Sequence, residues 1–185
     1  MNDTSLRPIL ESYWVEPGRL LAAEHPAKFN EELTRKRVDA LLEAGFDTFL
    51  DLTQSGETFP YTDILLERAT LYDATVSHCR FAIGDFGLPT SRQMNDILDT
   101  IEESLRAGHK IYLHCWGGIG RTGTTVGCYL VRQGKTPEAA LDQLSAWWRG
   151  VPKSQYHPHS PETREQVNFI RSWAQHDDKL RHAQK

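Results

Sequence analysis

The chain lacks the features that mark a secreted, membrane-borne or nucleic-acid-binding protein. It holds only three cysteines in 185 residues, an odd number and too few for a disulfide framework. No apolar run is long enough to cross a bilayer, and the N-terminus lacks a signal-peptide pattern. Positive charge is not in excess: 21 Lys and Arg stand against 25 Asp and Glu, for a formal net charge of −4. That balance argues against nucleic acid or an anionic membrane as the main partner. Internal repeats and low-complexity blocks are missing too. The expectation is a monomer in the cytoplasm, where a reducing environment keeps thiols free. An apolar content of 39% is enough for one substantial core. Residues 8–176 read as a single domain, with polar, flexible ends at 1–7 and 177–185.

What is present is concentrated in His114-Cys115-Trp116-Gly117-Gly118-Ile119-Gly120-Arg121-Thr122. This stretch sets a cysteine and an arginine six positions apart, with three glycines between them. Lys110-Ile111-Tyr112-Leu113 before it reads as a buried strand, and Thr122 to Arg132 after it as a helix. A phosphate dianion asks for these residue types, because several donors must converge on one spot. Glycines let successive backbone N–H groups turn inward, and the following helix adds the partial positive charge of its N-terminus. Arg121 can grip two phosphate oxygens at once, which lysine cannot do. The same field favours the thiolate form of Cys115, the form that is nucleophilic. A buried cysteine beside an ordinary glycine turn would account for a bare Cys-x5-Arg. It does not account for the histidine, the glycines and the threonine together.

The stretch resembles the signature of the cysteine-based protein phosphatases: His-Cys, five residues, Arg, then Ser or Thr. The match takes in His114, Cys115, Gly118, Gly120, Arg121 and Thr122. The resemblance runs over about residues 13–175, and the length is similar to that of the small dual-specificity type, such as bacterial and cyclin-kinase-phosphatase-like members. It implies phosphomonoester hydrolysis through a phosphocysteine, with no metal and no cofactor. Cys115 would attack phosphorus. Arg121 and the loop Trp116, Gly117, Gly118, Ile119 and Gly120 would hold the phosphate. Thr122 would stabilise the thiolate as the phosphate departs, and His114 would organise the loop. The implied partner is a phosphoprotein, with phosphotyrosine first and phosphoserine or phosphothreonine next.

A thiolate attacking a phosphate ester leaves an alkoxide or phenoxide, so a general acid must approach from the opposite side. Asp85 is the candidate, in Ile83-Gly84-Asp85-Phe86-Gly87-Leu88-Pro89. Glycines on both sides let this loop present or withdraw its carboxyl group. The loop lies one βα unit before the cysteine, as the acid loop does in the resembled family. Asp51 is the second choice, although it sits inside an apparent central strand, while Asp96 and Asp99 read as solvent-facing. Gln166 is a weaker candidate. Larger tyrosine-specific phosphatases position water with a glutamine in a Gln-Thr-x-x-Gln pattern. Here Glu162-Thr163-Arg164-Glu165-Gln166 replaces the first glutamine, and a plain solvent-facing helix surface accounts for Gln166 equally well.

Around these residues strands alternate with helices. Tyr13-Trp14-Val15 and Arg19-Leu20-Leu21-Ala22 read as strands joined at Pro17-Gly18. Asn30 caps a helix that Gly45 stops, Thr48 to Leu52 is a central strand, 53–73 is less regular, and Thr75 to Ile83 is strand-like. Thr90 with Gln93 makes a capping box, and Thr136-Pro137 and Ser160-Pro161 each open a helix. The fold class is α/β: one domain with a central, largely parallel, twisted sheet flanked by helices, and a phosphate-binding loop between a central strand and a helix. Ligands in such sheets sit beyond the carboxyl ends of the strands.

Other residues have blander readings. Cys79, on the strand before the Asp85 loop, reads as a packed thiol, with a protective Cys79–Cys115 disulfide the less favoured possibility. Cys128 reads as packing. His157 and His159 have no companions at ligand spacing, so no metal is expected. Lys153 and His157 read by default as a solvated loop, although they could touch an acidic substrate. The nearest alternative function is a phosphoinositide or inositol-phosphate phosphatase of the same fold. Those enzymes often carry lysines where this chain has Trp116 and Ile119. An RNA 5′-triphosphatase fits the acidic charge poorly, and a sulfurtransferase or arsenate reductase would not need Asp85. From another class, an inactive phosphate-binding module would have lost the cysteine, the arginine or the acid.

Overall fold

A computed structural model describes residues 7–183. The expected flexible N-terminus, apart from Arg7, lies outside the described residues. Five strands, β1 (Ser12–Glu16), β2 (Leu20–Ala23), β3 (Thr48–Asp51), β4 (Ser77–Arg80) and β5 (Ile111–His114), form one sheet in the order β1-β2-β5-β3-β4. β1 and β2 form an antiparallel hairpin, and every other neighbouring pair is parallel. The helices are α1 (Glu31–Glu43), α2 (Thr62–Leu71), α3 (Ser91–Arg106), α4 (Gly120–Arg132), α5 (Pro137–Trp148), α6 (Arg164–Ser172) and α7 (Asp178–Ala183). Helical crossovers let successive strands run parallel.

The two-residue period of a strand sorts its side chains to opposite faces. Leu21, Ala23, Phe49 and Tyr112 point to one side and pack with Val38 and Leu41 of α1 and Leu65 of α2. Leu20, Ala22, Leu50, Ile111 and Leu113 point to the other, against Met94 and Ile97 of α3, Val126 of α4 and Leu144 of α5. Fully burying one such aliphatic side chain is worth about 1.5–3 kcal/mol. α4 is buried along its whole length and forms the centre of the second layer.

The structure departs from the sequence reading at several element ends. The stretch read as irregular, 53–73, contains α2. Only Leu65 and Ala69 of that helix are buried, and its N-cap residue Tyr61 makes no side-chain cap bond. Neither periodicity nor a capping residue therefore advertised it. Within the strand expected over Thr75–Ile83, the regular strand is Ser77–Arg80, and Phe81 N and Ile83 N continue the pairing by donating to Asp51 O and Leu52 O. Thr90 caps α3 by accepting from Gln93 N at 3.1 Å, but the Gln93 side chain turns to Ala82 O at 3.0 Å instead of closing a box. α4 starts two residues earlier than Thr122, which puts both Arg121 and Thr122 in its first turn. α6 opens at Thr163 rather than at Ser160-Pro161, through a capping box between Thr163 and Gln166. Ser160 instead donates its hydroxyl to Ile119 O at 2.8 Å, beside a cis Ser160–Pro161 peptide. The tail expected to be flexible over 177–185 begins at a buried residue: Asp177 accepts from Arg132 Nε at 2.6 Å and Trp173 Nε1 at 2.9 Å and leads into α7, while 184–185 lie outside the described residues.

Candidate active site

The loops that follow β2, β3, β4 and β5 all lie at the carboxyl ends of parallel strands and converge on one cleft of about 840 Å³. Cys115 is at its floor, only 2% exposed. Two glycines of the floor stand in close quarters. Gly118 has φ +75°, and a Cβ there would come within 2.6 Å of the Ala23 backbone. A Cβ on Gly120 would meet the Gln166 side-chain amide at 2.8 Å and the Glu162 carboxylate at 2.5 Å. The first-turn amides of α4 have no intrahelical carbonyl to bond, and the helix dipole adds partial positive charge there. The Thr122 hydroxyl, in the same turn, is buried with no hydrogen-bond partner among the described residues.

Arg121 is held from several sides. Its Nη1 donates to Glu57 Oε2 at 2.7 Å and to Ile83 O at 2.9 Å. Its Nη2 donates to Glu57 Oε1 at 2.5 Å and to Asp85 Oδ1 at 3.0 Å. Burial works against the guanidinium charge, but Glu57, with Cys115 and Asp85, outweighs it and holds Arg121 above its usual range. Glu57 is held below the usual carboxylate range in turn, because Arg121 outweighs the cost of its partial burial. The sequence reading missed Glu57. It lies 64 residues from Arg121, in a loop with no motif to flag it.

His114 is fully buried beneath the Cys115 loop. Its Nδ1 is 3.2 Å from Cys115 O and its Nε2 is 2.7 Å from the Tyr61 hydroxyl. Burial pushes its pKa down to about 4, against the pull of Asp51, so the imidazole is neutral near pH 7. His25, ring to ring with His114 at 5.0 Å, is pushed to about 3 by burial and then by His114. Asp51 lies behind this pair, not in the cleft. It is fully buried and accepts from Thr53 N at 2.8 Å, Thr53 Oγ1 at 2.6 Å and Arg80 Nη2 at 2.8 Å. Burial would raise its pKa, but His78 and His114 outweigh that and hold it far below the usual range. A carboxylate so engaged has no proton to give, which removes the second-choice acid.

Asp85 does face the cleft, from a tight turn in which Gly87 N donates to Gly84 O at 2.8 Å. Phe86 takes the left-handed conformation, φ +55°, in that turn. Gln166 is buried rather than on a solvent-facing surface, and its amide donates to Gly87 O at 3.3 Å. It therefore links α6 to the turn that carries Asp85. Glu162, four residues earlier, lines the cleft with its pKa raised by burial and then by Asp85. Lys153 also lines the cleft, contrary to its default reading as a solvated loop, and bonds Glu24 at 2.6 Å and Gly117 O at 3.1 Å. Cys79 pairs in register with Leu50 of β3, which pairs with Leu113 of β5. Two strand spacings of about 4.8 Å put it about 10 Å from β5, beyond the roughly 4.4–6.8 Å between Cα atoms that a disulfide allows. Cys79 packs against the core instead.

A family model described as "PTP-SAK: Swiss Army Knife protein, DSP-PTPase phosphatase domain" matches residues 11–180. The mouse "Protein tyrosine phosphatase domain-containing protein 1" is 26% identical over 172 residues, which cover 89% of this chain and 21% of that protein. The chain thus spans about a fifth of the length of that curated relative. Among solved structures, Tk-PTP in its active form has a TM-score of 0.65 and 25% identity, covering 89% of this chain and 97% of that one. PTPMT1 in complex with PI(5)P has a TM-score of 0.69 at 15% identity, covering 95% and 99%, a likeness of fold alone.

Proposed function

We propose a function on one premise: this chain belongs to the DSP-PTPase phosphatase family. It hydrolyses phosphate monoesters through a phosphocysteine. Cys115 Sγ attacks phosphorus in line, and the bond to the ester oxygen breaks. Asp85 gives that oxygen a proton. Water then attacks the phosphocysteine with Asp85 as base, which releases inorganic phosphate and restores the thiolate. Arg121 and the amides from Trp116 to Gly120 hold the equatorial oxygens in both steps. The observation that carries this reading is that Cys115, Arg121 and Asp85 face one cleft, with Asp85 already on Arg121 Nη2 at 3.0 Å. An incoming phosphate takes that place on the guanidinium and frees Asp85 to meet the leaving oxygen. The unpartnered Thr122 hydroxyl is available to the thiolate, and neutral His114 fixes the loop through the Cys115 carbonyl.

The substrate class is a phosphoprotein, phosphotyrosine ahead of phosphoserine and phosphothreonine. Lys28 and Lys153 at the cleft both bond the Glu24 carboxylate, at 2.6 Å each, so the cradle gains little charge for a polyphosphorylated head group. The test of the chemistry is Cys115→Ser assayed on para-nitrophenyl phosphate. Turnover should vanish while phosphate binding survives, because a serine hydroxyl stays protonated and the cradle is untouched. Substantial residual hydrolysis would remove Cys115 as nucleophile. Faster turnover of phosphoinositide vesicles than of phosphotyrosine peptides would overturn the substrate class.

A further inference from the structure

Two aromatic side chains at the cleft are used neither by the core nor by the proposed chemistry. Phe29 is 90% exposed and Phe59 54% exposed. One follows β2 and the other follows β3, yet their ring centroids stand 5.3 Å apart, edge to face at 78°. Both line the cleft that has Cys115 and Arg121 at its floor. A phenylalanine left in water forgoes the stabilisation that burial brings. Paired apolar rings lining a cleft mark a place where a ligand completes that burial.

Neither ring hangs on slack backbone. Before Phe29, His25 N donates to Trp116 O at 2.9 Å, Ala27 N to His25 Nδ1 at 3.1 Å and Lys28 N to Thr34 Oγ1 at 3.0 Å. Beside Phe59, the Thr58 hydroxyl meets His25 Nε2 at 2.9 Å, and Glu57 holds Arg121. The ring pair is therefore framed on the same contacts that frame the phosphate cradle. Charge narrows the occupant. Lys28 and Lys153 share Glu24, while Glu57, Asp85 and Glu162 add negative charge around the cleft. A second anionic group meets carboxylates and paired lysines here, and an apolar group meets two rings.

We infer that Phe29 and Phe59 form a subsite for an apolar side chain beside the phosphotyrosine of a peptide substrate, so that sites with an aliphatic or aromatic neighbour are preferred. The inference rests on the phosphotyrosine reading above. An extended peptide advances about 3.3 Å per residue, so a residue one or two positions from the phosphotyrosine lies over the mouth while the phosphate is at the floor. Ring contacts of this kind are worth about 0.5–1.5 kcal/mol, roughly a two- to tenfold effect.

The experiment compares a phosphotyrosine peptide with glycine neighbours and the same peptide with leucine or phenylalanine neighbours. Para-nitrophenyl phosphate reports the chemistry alone. Wild type, Phe29→Ala, Phe59→Ala and Phe29→Leu are assayed, with thermal melts to confirm that each is folded. The expected result is a two- to tenfold higher kcat/KM for the apolar-flanked peptide in wild type, carried mainly by KM. That ratio should fall towards one in both alanine variants and largely persist in Phe29→Leu. Equal kcat/KM for the two peptides in wild type, or an unchanged ratio in both alanine variants, overturns the inference alone. A wild-type protein that turns over none of the three substrates brings down the phosphatase reading and this inference with it. Phosphoinositide vesicles turned over faster than either peptide, with the advantage lost in Phe29→Ala, would assign the rings to lipid and overturn it too.

Discussion

The floor of the cleft, residues 115–121, is one unbroken segment running from the end of β5 into the first turn of α4, whereas its walls come from separate stretches at 24–29, 56–60, 85–86 and 153–162. Apart from the exposed ring of Trp116, the floor is largely buried and its reacting side chains are committed: Cys115 is 2% exposed, and Arg121 is held by two carboxylates and a carbonyl. The walls carry the exposed rings of Phe29, Phe59 and Phe86 and the acid on its turn. Chemistry that every substrate shares belongs to the floor. Choice among substrates belongs to surfaces that a partner can touch. Substitutions in the two regions should therefore fail in different ways.

Asp85 tests the boundary most severely, because it comes from a wall yet acts on the reacting atoms. Asp85→Asn should slow hydrolysis of alkyl and ordinary phenyl phosphates by about 10² to 10⁴, the usual worth of general acid catalysis. The loss should shrink where the leaving group barely needs a proton, and the alkaline limb of the pH–rate profile should disappear. If that limb persists with the rate intact, the acid is elsewhere. Glu162 is then the residue to examine, since Asp51 is fully buried and committed to Thr53 and Arg80.

Glu57 tests the opposite case, a wall residue that acts only through the floor. It presents both carboxylate oxygens to Arg121, at 2.7 and 2.5 Å, and touches no reacting atom. Hydrogen bonds between charged partners are worth about 1.5–3 kcal/mol, so Glu57→Gln should lower kcat/KM by roughly ten- to a hundredfold. Inorganic phosphate should inhibit the variant less well, because the guanidinium is no longer held in place. Tighter inhibition would instead show that Glu57 competes with phosphate for Arg121, and the floor would then be closed by its own wall.

This division also explains what the sequence could tell. The floor was legible because the chemistry forces Cys115, three glycines and Arg121 into one stretch, framed by a strand and a helix. Asp85 was legible because its flanking glycines mark a turn after a strand. Glu57 was not, because a single carboxylate meets Arg121 only after β3 and β5 have paired. Gln166 was read either as a water-positioning residue or as a plain solvent-facing position, and it is buried against the Asp85 turn. Its burial comes from the capping box that starts α6, and that start was misplaced onto Ser160-Pro161. Phe29 and Phe59 gave no periodic signal, since neither lies in a strand or helix. Among the elements, α3 was plain from its broad apolar face, while α2 buries too little to stand out.

The effect furthest from turnover concerns the seam between floor and wall, where His25 and His114 meet. His25 binds the floor through Trp116 O and the wall through the Thr58 hydroxyl, and His114 binds the Cys115 carbonyl. Burial depresses both pKa values, to about 3 for His25 and about 4 for His114. An unfolded histidine titrates near 6.5. Between pH about 6.5 and about 4 the unfolded chain therefore binds protons that the folded chain refuses. Stability is complete above that window and falls as pH drops through it, by up to about 1.4 kcal/mol per pH unit for each histidine. Asp51 and Glu24, held low, begin to cost stability only at the lower edge, where unfolded carboxylates take up protons. Urea midpoints at pH 7, 6 and 5 should decline in wild type. His25→Gln should decline more gently, because one of the two reluctant imidazoles is gone and glutamine can still meet Thr58. Equal slopes in the two proteins would show that His25 takes up its proton without unfolding the site. The seam would then yield locally, with the wall loop at 53–60 moving away while the floor stays in place.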